Sequence, residues 1–335
     1  MSTTEQVEQE EAGLRLDRWF KRHYPALGHG PLEKLLRTGQ VRIDGKRAHA
    51  GDRLEPGQAI RIPPQLQGAP PQARHMPPAV PDVSDSDRDF MERLVIHEDP
   101  AVFVLNKPSG IPTQGGSGVK RHIDGLLDAL QGKKRQRPRL VHRLDRDTSG
   151  VLVVARTIPA AAALSESLRR RDARKIYWAL TKGVPRPHRG TVRLAMAKET
   201  GFGHSGRDER MAPADEDSVD AKSATTHYAV MGTAAGQYAW VALRPVTGRT
   251  HQLRAHLAHI GTPIVGDFKY GGEAAKGLGE LEDRLHLHAR AIDIAHPDGG
   301  RLRATAPLPP HMLRAWRLFG FDPDSHEDPF AEHGK

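Results

Sequence analysis

Asp145 stands between two arginines in the run His142-Arg143-Leu144-Asp145-Arg146-Asp147-Thr148-Ser149-Gly150, and the apolar stretch Val151-Leu152-Val153-Val154-Ala155 follows at once. Flanking guanidinium charge favours the ionised form of a carboxylate, and an ionised, held carboxylate is a candidate covalent nucleophile. The ordinary alternative is a salt-bridged loop ahead of a core strand, because ion pairs are common. Two further segments weigh against it. In Lys175-Ile176-Tyr177-Trp178-Ala179, strand alternation sends Ile176, Trp178 and Leu180 to one face and Tyr177 to the other. A tyrosine on the open face offers a flat stacking surface and a hydroxyl able to give or take a proton. In Pro245–His256, a strand runs into Thr247-Gly248-Arg249 and then into a helix whose Leu253, Leu257 and Ile260 share the core side. Helix N-terminal amides together with Arg249 suit a phosphate. Arg254 sits beside the apolar stripe, where an unpaired guanidinium is expensive; it needs an acid, and Asp145 is the expected partner.

The elements that must hold these residues belong to the larger of two predicted domains, 87–324. Val102–Leu105 is its opening strand, and Pro297-Asp298-Gly299-Gly300 is a hairpin turn between Ala291–His296 and Arg301–Ala304. Helices are fewer, at Ala160–Arg171 and Thr250–His259. Hairpins with scattered helices predict an α+β domain on a mixed, largely antiparallel sheet. Residues 199–222, rich in Gly, Ser and charge, are expected to be a mobile insertion. The smaller domain, 12–64, begins with two short helices, Leu14–Tyr24 and Pro31–Thr38, and continues through a hairpin turning at Asp44-Gly45 to a strand at Ala59–Ile62. Residues 65–86 form a Pro-rich linker. The acidic stretch 1–11 and residues 325–335 are expected to be tails.

The chain has 335 residues, a net charge of +9 and no cysteine. Disulfides and thiolate metal sites are thereby excluded, as suits a reducing compartment. There is no apolar run of 18 residues to span a membrane and no basic leader at the N-terminus, so a cytoplasmic protein is expected. Residues 12–63 carry eleven Lys and Arg against five acids, and a second basic block, Lys133-Lys134-Arg135-Gln136-Arg137-Pro138-Arg139, precedes the Asp145 turn. Charge so distributed points to nucleic acid as partner. Nineteen histidines invite a metal site, but His286/His288 and His256/His259 lack a third ligand at metal spacing. A kinase reading fails on order, since Gly115-Gly116-Ser117-Gly118 follows Lys107 and Asp267-Phe268 continues with Lys269.

Four motifs in order, VLNKPSGIPTQGG, HRLDRDTSGVLVVA, RKIYWAL and RPVTGRTHQLRAHLAHIGTPIVGD, resemble the RluA-type RNA pseudouridine synthases, and residues 13–63 resemble the S4 RNA-binding domain that the RluC/RluD-like members carry. The resemblance implies an isomerase that flips a uridine out of folded RNA, breaks its C1′–N1 bond and rejoins the uracil through C5. That chemistry needs no cofactor and no metal. The resemblance further implies that Asp145 is the nucleophile, that Tyr177 stacks on the uracil and is a candidate base, that Arg254 pairs with Asp145, and that Arg143 holds the distorted RNA. Further RNA contacts are expected from Arg249, His251 and Gln252, and from Arg15, Arg18, Arg37, Arg42 and Lys46 in the S4-like domain. Large-subunit ribosomal RNA is the expected substrate and a monomer the expected state. The competing readings are a tRNA-directed synthase and a non-catalytic RNA-binding or ribosome-assembly factor.

Overall fold

The computed structural model describes residues 3–66, 83–132, 136–199 and 210–331, apart from 12, 26, 116–118, 120, 216, 217 and 219. Two compact units, Met1–Asp82 and Val83–Lys335, divide the chain. The first contains β1 (Thr3–Gln6), α1 (Leu16–His23), α2 (His29–Arg37), β2 (Arg42–Ile43), β3 (Lys46–Arg47) and β4 (Ala59–Ile62) in a sheet ordered β1-β4-β2-β3. Leu16, Trp19 and Phe20 of α1 bury against Leu32, Leu35 and Leu36 of α2 and against Ile60 and Ile62 of β4. The β2–β3 turn is the Asp-Gly pair, with φ of 48° at Asp44 and 75° at Gly45. Both central residues are left-handed, as a tight primed hairpin turn requires.

The acidic N-terminus is not a free tail among the described residues. Its strand β1 pairs along β4, Val7 is buried, and Glu11 accepts hydrogen bonds from Trp19 Nε1 at 2.9 Å and from His23 Nε2 at 2.6 Å. A polar strand is stable there because β4 supplies its backbone partners and the Glu11 carboxylate is satisfied.

The second unit opens with α3 (Asp85–Leu94), β5 (Val95–Glu98) and β6 (Val102–Lys107), then α4 (Ile123–Leu126), β7 (Arg139–Leu140), β8 (Ser149–Ala155) and α5 (Ile158–Ser167). It continues through β9 (Arg174–Lys182), β10 (Arg189–Glu199), β11 (Arg210–Pro213), β12 (Lys222–Ala234) and β13 (Tyr238–Pro245). The chain then forms α6 (Gln252–His259), α7 (Phe268–Gly271), β14 (Leu287–Ala295), β15 (Arg301–Thr305) and α8 (Pro310–Phe319). Among the described residues eleven strands make one sheet, ordered β11-β10-β12-β13-β9-β14-β8-β6-β5, with β15 beside β14 and β7 beside β8. Its pairings are antiparallel except that of β14 with β8. The unit is therefore α+β on a mixed, largely antiparallel sheet.

Alternation along β9 sorts its side chains as the pattern predicts. Trp178 and Leu180 pack with Trp240 and with Trp316 of α8, while Tyr177 and Ala179 face the cluster that holds Leu253 and Leu257 of α6. The helices α3 and α8 and the long strand β10 were not among the predicted elements, and α5 ends four residues earlier than expected, at Ser167. Within the supposed insertion, Arg210–Pro213 pairs with β10 as β11, while residues 200–209 lie outside the described part. The C-terminal stretch also docks: Asp328 pairs with Arg174 at 2.7 Å and Phe330 is buried with the tryptophans.

Candidate active site

Register brings the three chemical segments together. On β14, Ala289 faces Tyr177 of β9 on one side and Gly150 of β8 on the other, and Gly150 lies five residues after Asp145. Gly150 has φ 111°, and a Cβ there would lie 2.2 Å from the carbonyl oxygen of Ala289. Only glycine tolerates that backbone and that approach.

The Asp145 turn is riveted from behind by the end of β6 and its following loop. Lys107, fully buried, donates from Nζ to the carbonyls of Pro108 (2.9 Å), Ile111 (2.8 Å) and Arg146 (3.0 Å). Burial pulls its ammonium down to about 8, against the pull of Asp147 and Asp145. Thr113 donates to the carbonyl of Leu144 at 2.7 Å and accepts from the amide of Leu144 at 3.1 Å, next to the buried Leu144 side chain. The NKPSGIPT motif thus serves the site as its backing, a role its sequence as a strand end did not disclose.

In front of the turn lies a cavity of ≈ 530 Å³ lined by Asp145, Arg146, His251, Arg254, Phe268, Lys269 and Arg284, among others. The Asp145 side chain is 21% exposed, and among the described residues none donates a hydrogen bond to its carboxylate. Among the described residues the His251 ring comes within 4.0 Å of it, with Nε2 at that distance from Oδ2. Tyr177 is half-buried and does not line the cavity; burial first, and the Asp145 charge second, push its phenol above the usual range.

Arg254 is buried as expected, but Asp145 is not its partner. Its Nε and Nη2 donate to Asp267 at 2.8 and 2.7 Å, a two-point ion pair closed from both sides. A planar guanidinium is best satisfied by a carboxylate in the same plane, and Asp267, at the start of α7, supplies it. Asp145 adds only longer-range attraction. Gln252 likewise departs from expectation. It is 4% exposed, its Oε1 accepts from Thr247 Oγ1 and the Arg249 amide, and its Nε2 donates to Thr225 and Thr226. All its capacity is spent holding the Thr-Gly-Arg turn to β12, leaving nothing for RNA.

Arg143 and Arg249 are exposed; Arg249 Nε donates to the Ser223 carbonyl at 3.3 Å. His251 precedes α6 in the left-handed region (φ 53°) and is hydrogen-bonded through Nδ1 to the Tyr270 hydroxyl at 3.0 Å. No role in the site was expected of Tyr270, Asp267 or Lys107. The first two were hidden because their spacing from α6 is set by a loop, not by a helical or strand period.

In the first unit, Arg18, Arg37 and Lys46 are exposed, Arg15 is paired with Asp17 at 2.8 Å, and Arg42 donates to the turn carbonyls of Gly39 and Gly45. Lys133, Lys134 and Arg135 of the second basic block lie outside the described residues, and Arg137 is held by Asp128 and Asp124. His286 and His288 are buried and bonded to the backbone carbonyls of Arg284 and Ala306, and among the described residues no three His, Asp or Glu gather as a metal site.

Comparison with known proteins gives this geometry a family. The model of RNA pseudouridylate synthase matches residues 101–259, which span the Asp145 turn, Tyr177 and α6. The chain is 35% identical to ribosomal large subunit pseudouridine synthase C of Escherichia coli K12, covering 91% of this chain and 92% of that one. It is 34% identical to RNA pseudouridine synthase 4, mitochondrial, of Arabidopsis thaliana, over 90% and 78% of the two chains. The solved structure of human RNA pseudouridylate synthase domain containing 4 superposes with a TM-score of 0.58 at 30% identity, covering 70% of this chain and 96% of that one. The chain belongs to the RNA pseudouridylate synthase family.

Proposed function

We propose that this synthase isomerises particular uridines of large-subunit ribosomal RNA, with Asp145 as the nucleophile. The observation that carries the reading is the Asp145 carboxylate itself, open to a polar cavity of ≈ 530 Å³ and free of hydrogen-bond donors among the described residues. A carboxylate kept unsatisfied within the longer-range attraction of Arg254 is held ready to react with the sugar or the base, while structural carboxylates in the same unit are saturated, as Asp267 is by Arg254. The relatives named for the ribosomal large subunit, at 35% identity over nearly the whole chain, support the ribosomal target.

Placement supports the other roles. Tyr177 presents its ring toward the Asp145 side of the sheet; with its phenol pushed up it stays protonated at neutral pH, which suits a stacking surface and hydrogen-bond donor better than a phenolate base. Arg143, exposed two residues before Asp145, is placed to hold the backbone of an extruded nucleotide. Residues 12–64 serve as an S4-like clamp whose Arg18, Arg37 and Lys46 meet phosphates. The protein works in the cytoplasm and as a monomer, and needs no cofactor.

The test is a large-subunit rRNA transcript incubated with the purified protein and mapped for pseudouridine. Asp145→Asn is expected to bind the transcript within about twofold of the parent and to lose at least about 10³-fold in turnover. Normal modification by that variant would remove Asp145 from the chemistry, and a parent protein that modifies tRNA but not the transcript would move the target.

A further inference from the structure

We propose that His251 positions the Asp145 carboxylate as the middle member of a chain Tyr270–His251–Asp145, and is not an RNA contact. The inference rests on the reading of Asp145 as nucleophile. His251 is one of three non-glycine residues with positive φ among those described, and the only one in the second unit's cavity wall. Left-handed backbone costs about 1 kcal/mol or more for a side chain with a Cβ and persists where the surroundings impose it. Here it turns the ring away from the helix it precedes and into the cavity, with no cap bond to α6 to explain it.

The ring's two nitrogens then have separate partners. The Tyr270 hydroxyl accepts the amide of Met211 on β11 at 2.9 Å, so its own proton is left for Nδ1 of His251 at 3.0 Å. With Nδ1 accepting, a neutral imidazole carries its proton on Nε2, the atom that faces Oδ2 of Asp145 at 4.0 Å. The ring is kept neutral by burial first, with Arg254 and Lys269 acting the same way and Asp145 and Asp267 opposing. Tyr270 is itself fixed, with the guanidinium carbons of Arg254 and Arg210 5.2 and 5.3 Å from its ring centre. The chain therefore presents a neutral N–H 4.0 Å from one oxygen of Asp145, a polar contact longer than a hydrogen bond, and leaves the other oxygen to the substrate. A neutral donor can do this without the full charge that would quench a nucleophile.

A group acting through Asp145 should be felt in turnover and not in RNA affinity. His251→Ala is expected to lower kcat about 10- to 100-fold on the large-subunit rRNA transcript with KM within about twofold, the range typical of residues that orient a reacting group. His251→Gln, whose amide N–H can reach the same place, should recover about tenfold of that loss, and Tyr270→Phe should lose about three- to tenfold. A loss confined to KM, or no loss in kcat for His251→Ala, overturns the proposal.

A second measurement does not depend on turnover. The long-range 15N–1H spectrum of the imidazole in the full chain, assigned by difference against His251→Gln, should show a neutral ring protonated on Nε2 at neutral pH. It should shift in Asp145→Asn and lose its single tautomer in Tyr270→Phe. A ring protonated on Nδ1, or one indifferent to both substitutions, overturns the chain even if the RNA is modified. A parent protein inert on every RNA, with the Nε2 tautomer present, would instead overturn the nucleophile reading and leave the chain standing.

Discussion

The guanidinium of Arg254 is engaged by Asp267 at two points, and this leaves the Asp145 carboxylate with attraction at a distance but no hydrogen bond. The division has an energetic consequence. Arg254 is 8% exposed and Asp267 1%, so removing one member strands the other in low dielectric. Losing one partner of such a buried pair costs about 3–5 kcal/mol. Asp267→Asn is therefore expected to destabilise the second unit by that amount in chemical denaturation, and Asp145→Asn by less than about 1 kcal/mol. Equal losses for the two would show that Asp145 shares the charge of Arg254 after all. The need of Arg254 for an acid was legible from its place beside the Leu253–Leu257 stripe. The identity of that acid was not, because Asp267 is brought back by a loop whose course no residue period records.

At the scale of elements, what could be read was what has a period or a turn signature. The alternation of Ile176, Trp178 and Leu180 gave the faces of β9, the spacing of Leu253 and Leu257 gave the buried side of α6, and Asp44-Gly45 gave the β2–β3 hairpin. The helix α8 carries a comparable signal, with Met312, Ala315 and Trp316 buried at helical spacing and Pro310 in its first turn, yet it was not among the predicted elements. The strand order was out of reach, since β8 lies beside β14 although Ser149 and its partner His288 stand 139 residues apart. Gly150 is the one residue whose type betrays that pairing. Gly150→Ala would drive a methyl to 2.2 Å from the Ala289 carbonyl at a φ of 111°. Overpacking and backbone strain together predict a loss of about 3 kcal/mol or more, visible as a lower melting temperature and as loss of turnover at temperatures where the chain still folds. A variant that melts with the parent would mean that β8 and β14 approach less closely than the register indicates.

Both units are net basic, and they differ in how far their cations are taken up in internal pairs. The second unit carries the carboxylate proposed as nucleophile and pairs many of its arginines internally, as with Arg137 to Asp128 and Asp124, Arg174 to Asp328, and Arg301 to Asp293 and Asp172. The first unit leaves Arg18, Arg37 and Lys46 exposed on a small fold whose core is already complete with Leu16, Trp19, Phe20 and Ile60. Cations outside any packing role are available to displace counterions from a phosphate backbone. Replacing Arg18, Arg37 and Lys46 together by alanine in the full chain should weaken binding to the rRNA transcript similarly for specific and unrelated sequences. It should also reduce the slope of log affinity against log salt by about 2–3, near one for each phosphate no longer neutralised. Turnover at saturating RNA should stay within about twofold, because none of the three lines the Asp145 cavity. A slope equal to the parent's would assign these three cations to something other than phosphate. A fall in saturated turnover would mean that the first unit helps to shape the RNA at the reacting uridine as well as to hold it.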